Sequence, residues 1–373
     1  MASVLESFRN LLSKRHEIAK QRKSHNKRVV GWTCTYTPEE VIYAAGALPV
    51  RVYGGLESTT LADAYLPSNA CSFIRSCFNS ALKGDYEYLD GYVASNSCDN
   101  YGKMYDMWRY YVKTPYIHFV NTPHTNTEKA HEFFYEEVVK FKESLEKAFG
   151  NQISNKSLRN AIHVYNQNRR LLKKAYDLRK KKPPLISGVE ALEMVLSSMV
   201  TPKDEHNKLL NRLLSEIKIR KDPPKEGVRL LVSGSVMDSP ELLRLVEATG
   251  GSVVADDLCT GSRYFWDLVG SEPDPLRAIA KRYLDKTPCP FMNRYEERIK
   301  HVKEMAQRYE VEGAIIFVLK FCDTHLFDAP LLMGELKALG LPVLHLEWEH
   351  SISGIAQLKT RIEAFIEMVG GGK

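Results

Sequence analysis

Two stretches far apart in the chain share one layout. "GYVASNSCDN" (91–100) and "AIIFVLKFCDTH" (314–325) each run from an apolar segment into a short turn that ends in Cys-Asp. A short apolar run bounded by turn residues is what a strand buried on both faces looks like. The surroundings repeat as well. "KRVVGWTC", "TPEEVIYAAG" and "LPVRVYG" in the first half correspond to "VRLLVSGS", "SPELLRLVEATG" and "SVVADD" in the second. In both halves a strand, a helix opened by Pro-Glu and a second strand precede the Cys-Asp strand. A helix and a strand opening near Pro follow it. This order predicts an α/β protein with two open parallel-sheet domains of Rossmann or flavodoxin-like type, derived from a diverged duplication.

The expected strands are 27–34, 48–54, 89–96 and 115–122, then 228–235, 252–257, 313–320 and 341–348. Thr37, Pro38 and Glu40 read as the N-cap, first residue and capping-box partner of the first internal helix. Residues 127–222 are rich in Lys, Glu, Leu and Asn with helical periodicity, and "KDPPKEG" reads as a linker. The expected organisation is an N-terminal helix plus first α/β domain (1–126), a helical segment and linker (127–226), and a second α/β domain (227–373). Gly54, Gly55 and Gly234 are expected at tight turns.

Several function classes are disfavoured by composition. Of 373 residues, 52 are basic and 46 acidic, a net charge of +6 that is spread along the chain. A nucleic-acid footprint would cluster those charges and interleave aromatics, so no nucleic-acid partner is expected. No apolar run reaches the roughly 18 residues of a membrane span, so no membrane partner is expected either. The N-terminal segment lacks the apolar core of a secretion signal, and a cytoplasmic location is expected. The seven cysteines are odd in number and contain no CxxC. In a reducing compartment they are core residues, metal ligands or nucleophiles.

Cys98 and Cys322 fall at expected strand exits, the edge where open parallel sheets bind ligands. Both also fall at helix N-termini, where the partial positive charge favours a thiolate. If the sheets face each other through those edges, the two thiols meet in one cleft. Cys71 opens a helix in the first half and is the third candidate; Cys77 lies on a different face of that helix. Thiolates ligate iron. Zinc, a nucleophile with His325 as its base, and plain core packing are the competing readings. Cys34, at the end of the first strand, is expected to be buried, with bordering the acyl site as the alternative; Cys259, after a second-half strand, is expected to pack or support, with lining the cleft as the alternative; Cys289 is expected in a turn. Arg75, one turn after Cys71, and Tyr36 and Glu347, at expected strand exits, are candidate catalytic or substrate-contacting residues. "RKKKPP" reads as a solvated helix end. With neither a Walker-type nor a dinucleotide motif present, ATP would be handled by another protein.

The phrases "VVGWTCTYTPEEVIYAAGALPVRVYGG", "CSFIRS", "DGYVASNSCDN", "VVADDLCTGSRY", "GAIIFVLKFCDTH" and "LPVLHLEWE" together resemble the catalytic subunits of 2-hydroxyacyl-CoA dehydratases and ATP-dependent benzoyl-CoA reductases. The resemblance implies a [4Fe-4S] cluster held by Cys71, Cys98 and Cys322, with one iron left open. It implies a related companion subunit, an acyl-CoA substrate and a separate ATP-dependent iron–sulfur activator that delivers single low-potential electrons. The implied reaction is dehydration of a (R)-2-hydroxyacyl-CoA to the enoyl-CoA through a ketyl radical. Reduction of a benzoyl-type ring is the second expectation, and a non-catalytic electron-relay subunit the third.

Overall fold

The computed structural model describes residues 4–371. Two four-stranded sheets, all parallel, carry the fold. The first contains β1 (Val29–Trp32), β2 (Leu48–Arg51), β3 (Gly91–Ser95) and β4 (Tyr116–Val120), in the order β2-β1-β3-β4. The second contains β5 (Val228–Gly234), β6 (Gly251–Asp257), β7 (Gly313–Leu319) and β8 (Val343–Trp348), in the order β6-β5-β7-β8. The two orders are the same, so the repeat seen in the sequence is a repeat of topology. In each sheet the winding reverses between its first and third strands. The carboxyl ends of β1 and β3, and of β5 and β7, therefore flank an open crevice.

Most strands are shorter than the apolar runs suggested, whereas β6 opens one residue earlier than expected, at Gly251. β1 ends at Trp32 rather than 34 because Cys34 takes a left-handed backbone, φ 65°. That conformation costs a non-glycine residue about 1–2 kcal/mol. Gly234 ends β5 at φ 139°, and a Cβ there would lie 1.8 Å from the Phe317 carbonyl oxygen of the neighbouring strand. Gly54 has a different reason from the expected turn. A Cβ would come within 2.0 Å of Ser76 Oγ, so its bare backbone lets the Ser72–Leu82 helix lie close against the exit of β2.

The helical segment joins the two sheets. The Glu128–Phe149 and Asn155–Asp177 helices both pack on the Pro275–Asp285 helix of the second half, and the latter also packs on the Glu39–Ala44 helix of the first. Thr127 and Ser154 cap these two long helices, and a capping box forms between Ser187 and Glu190.

The capping box expected from "TPEE" does not form. Thr37 Oγ1 donates to the Thr33 carbonyl (2.8 Å), and Pro38 occupies the cap position. Glu39 and Glu40 are instead buried in a polar network that links three parts of the chain. Arg169 donates to Glu40 Oε1 (2.5 Å) and Tyr283 to Glu40 Oε2 (2.8 Å). Tyr264 donates to Glu39 Oε1 (2.7 Å), and Lys203 donates to the Tyr264 hydroxyl (2.6 Å). Burial pushes both carboxyls up. For Glu40 the charges of Arg169 and Arg282 and the Tyr283 hydroxyl outweigh burial and hold it below the usual range, whereas Glu39 stays above it.

Removing one member leaves an unbalanced buried charge, which costs about 3–5 kcal/mol. Arg169→Ala is expected to lower unfolding stability by that amount in urea titration, whereas Arg170→Ala, a neighbour outside this network, is expected to stay near wild type.

Candidate functional site

The crevices of the two sheets open into one cavity of about 480 Å³. Six of the seven cysteines line it: Cys34, Cys71, Cys98, Cys259, Cys289 and Cys322. The seventh, Cys77, is fully buried on the other side of its helix, with its thiol 3.8 Å from the Val52 carbonyl. Between the thiols the wall is largely apolar, with Phe73, Ile74, Val236, Pro290, Phe291 and Phe327.

Cys71, Cys98 and Cys322 each stand at the N-cap of a helix: Ser72–Leu82, Asp99–Tyr111 and Asp323–Ala338. None of the three is a side-chain cap in these helices, so the thiols are free to point elsewhere. Asn100 Oδ1 accepts from the Cys71 backbone N–H (2.9 Å) and ties the first helix turn to the second. The thiols of Cys71 and Cys322 are in hydrogen-bond contact across the two halves, and Cys98 is close enough to feel the charge of Cys322. The convergence expected if the sheet edges face each other is therefore present.

The expectation that both helix N-termini favour a thiolate holds for only one of them. Cys322 is lowered to about 6, because the Cys71 thiol, the Ser235 hydroxyl and the His325 amide all point at it against the cost of burial. Cys71 is raised, since it is the donor in the shared bond and is also buried. Burial pushes the Cys98 thiol up despite the Tyr101 amide. A helix N-terminus offers about half a charge, less than a dry cavity costs a thiolate. Among the described residues, no three His, Cys, Asp or Glu side chains converge tightly enough to share a single metal ion. The thiols surround a space rather than a point.

A buried cation stands in the cavity wall. Arg51, at the end of β2, is 1% exposed, and its Nε and Nη1 have no hydrogen-bond partner among the described residues. Its guanidinium lies 5.1 Å from the Trp32 ring, and the acidic groups that act on it are phenols and thiols.

The other candidates stand elsewhere. Arg75 pairs with Asp63 (2.9 Å) and Glu349 (3.4 Å) and does not reach the cavity. Glu347 is exposed on β8. Tyr36 is buried behind the wall, where its hydroxyl accepts from the Cys289 N–H (3.2 Å) and its ring carries the Lys286 ammonium at 4.2 Å. Reading the sequence missed Arg51 and placed Cys289 in a turn; for Cys34 and Cys259 the structure favours the cavity-bordering alternative over plain packing. The number of cysteines at strand exits was the available signal.

The profile of the family described as 2-hydroxyglutaryl-CoA dehydratase, D-component, matches residues 34–369. The chain belongs to that family. It is 29% identical to the (R)-phenyllactyl-CoA dehydratase beta subunit of Clostridium sporogenes, over 94% of each chain. Identity to the beta subunit of lactoyl-CoA dehydratase from Anaerotignum propionicum is 28%, over 92% of each. Identity to a benzoyl-CoA reductase subunit of Thauera aromatica is 24%, over 92% of this chain and 91% of that one. The family is thus one of acyl-CoA dehydratase and reductase subunits. No helix among the described residues is long and apolar enough to cross a membrane.

Family membership places weight on how the Cys71 helix is held. The His350 N–H donates to Ser72 Oγ (3.2 Å), and His350 Nε2 pairs with Asp238 (2.6 Å), both side chains almost fully buried. Burial pulls the imidazolium down, but the charge and hydrogen bond of Asp238 outweigh it, and His350 titrates above the usual value of about 6.5. The pair's contribution to stability is therefore complete below about pH 6.5 and lost as pH rises through the raised value. Urea midpoints should fall over that window in wild type. Asp238→Asn should lose about 3 kcal/mol at pH 6 and flatten the dependence.

Proposed function

We propose that this chain is the iron–sulfur subunit of a two-subunit acyl-CoA enzyme, with Cys71, Cys98 and Cys322 holding a [4Fe-4S] cluster that has one open iron. The observation that carries this is the grouping of three thiols at helix N-cap positions, drawn from both halves, around one apolar cavity with an arginine in its wall that has two nitrogens unpartnered among the described residues. The donor set fits the group, because thiolates are the usual ligands of such clusters. Two of these thiols are too costly to ionise on their own in this cavity, and a metal that binds them removes that cost. When bound, a cluster with an open iron supplies a Lewis-acid position and a one-electron carrier.

The chain's own residues do the rest. Asn100 sets Cys71, while Ser235 and the His325 amide set Cys322. Phe73, Ile74 and Phe291 exclude water, so charge that develops on an acyl thioester is felt strongly. Arg51 offers donors to that charge. His325 is kept neutral by burial and by the nearby charges of Arg263 and Arg298. Exposed Phe327 and Leu331 flank the open side, an apolar rim suited to a companion chain.

The leading reaction is dehydration of a (R)-2-hydroxyacyl-CoA to the enoyl-CoA. It removes hydroxyl from the α carbon and a proton from the β carbon, and the initiating electron is recovered at the end. The similarity to two dehydratase beta subunits supports it. Ring reduction is the second reading, favoured by the similarity to the benzoyl-CoA reductase subunit. The initiating electron comes from an ATP-hydrolysing iron–sulfur activator, consistent with the lack of a phosphate-binding motif here. A cytoplasmic location belongs to the same proposal.

Anaerobic co-purification with the companion, then addition of activator, ATP and acyl-CoA, tests this reading. Formation of enoyl-CoA from a 2-hydroxyacyl-CoA supports dehydration. Turnover of benzoyl-CoA alone selects ring reduction, and a spectrum indifferent to every acyl-CoA selects an electron relay. Cys98→Ala or Cys322→Ala should release the cluster, whereas Cys77→Ala should retain full iron and sulfide. Iron kept by Cys71→Ala and lost by Cys77→Ala would misassign the third ligand.

A further inference from the structure

The outer side of the Asp323–Ala338 helix is not the side a solvated helix shows. A surface helix turns polar residues away from the core. Here the exposed positions from Phe327 to Gly334 are Phe327, Pro330, Leu331 and Gly334, all of them apolar. Phe327 is 82% exposed and Leu331 55%. The carboxylates nearby are already engaged: Asp328 is buried and pairs with Arg298, and Glu335 pairs with Lys303. The corresponding helix of the first half, Asp99–Tyr111, exposes Asp99, Asp106 and Arg109, with tyrosines only in its last turn. The apolar face is therefore not a common property of the duplicated unit.

The face is also arranged symmetrically about its own centre. Asp323, Phe327, Pro330, Gly334 and Lys337 are all exposed and follow the alternating four-and-three spacing of a helix–helix seam. Along the helix they read acid, large ring, centre, small, base. A second helix laid antiparallel across Pro330 sets Phe327 against Gly334 of the other copy and Asp323 against Lys337 of the other copy. At Gly334 nothing lies within 4 Å of where a Cβ would stand, which leaves a hollow for the ring. The same operation brings exposed Phe321, just before the helix, to exposed Leu339, just after it. Large meets small, apolar meets apolar and acid meets base. A two-fold interface requires this match of one surface with itself. Phe327 also lines the chamber, so the chamber wall stands in solvent on this side until the face is covered.

We infer that two copies of this chain pair antiparallel through their Asp323–Ala338 helices, about a two-fold axis near Pro330. The second copy covers Phe327 and completes the chamber wall, excluding water there. The inference rests on the two-subunit reading above and identifies the companion as another copy of this chain.

Sedimentation equilibrium of the full chain, purified anaerobically with no other subunit, tests it. The expected species has twice the mass of one chain. Phe327→Ala and Gly334→Glu are expected to weaken the dimer by about thirtyfold or more, the loss that a central interface residue gives. Gly334 has open space and no positive φ, so a glutamate there leaves the helix intact. Tyr110→Ala, at an exposed tyrosine outside this face, should remain a dimer. A monomeric wild type, or a dimer that neither Phe327→Ala nor Gly334→Glu weakens, overturns the pairing. A wild-type monomer that binds a different subunit one to one overturns it and leaves the two-subunit reading standing; a monomer that binds none overturns both. The wild-type mass decides even if a variant fails to fold.

Discussion

The buried contact of Glu39 and Glu40 with Arg169, Lys203, Tyr264 and Tyr283 is the constraint on which the cavity depends. These residues come from the first half, the helical segment and the second half, and they meet just behind the carboxyl ends of the strands. Two adjacent carboxylates cannot both be buried charged unless cations from other elements reach them. The requirement is directional: the Glu39–Ala44 helix must present its first turn to the Asn155–Asp177 and Pro275–Asp285 helices. Once it does, the two sheets face each other across the crevices at which their winding reverses. A second ionic cluster, Asp257 with Arg263 and Arg298, braces the same edge in the second half.

The electrostatics of the chamber follow from that enclosure. Thiols that would be helped by helix N-termini in water are instead pushed up by burial, and Cys322 escapes because Cys71, Ser235, Thr324 and the His325 amide all give it hydrogen bonds. The same low dielectric leaves Arg51 as a cation with no carboxylate against it among the described residues, and pulls Lys286 down to about 7. Costly thiols and an arginine without a carboxylate share one buried space.

Pattern reading failed where chemistry close to the site replaced a local rule. "TPEE" has the residues of a capping box, yet its glutamates serve tertiary partners more than a hundred residues away. Gly54 reads as a turn glycine, yet what it provides is room for a helix. Arg75 and Glu347 sit at plausible distances from Cys71 and from a strand end, but local ion pairing and exposure take them out of the cavity. Arg51 carries no sequence signal, because an arginine ending a strand is ordinary until its neighbours are known to lack carboxylates.

The sequence by itself determined the eight parallel strands, their repeat in two halves and the placing of Cys98 and Cys322 at strand exits. Those properties follow from period, apolar runs and turn residues, all of them local. Only the tertiary structure decided that six thiols share one space and that an arginine without a carboxylate stands among them. Convergence depends on which helix faces meet and on what burial does to charge, and neither is written in the spacing of residues along the chain.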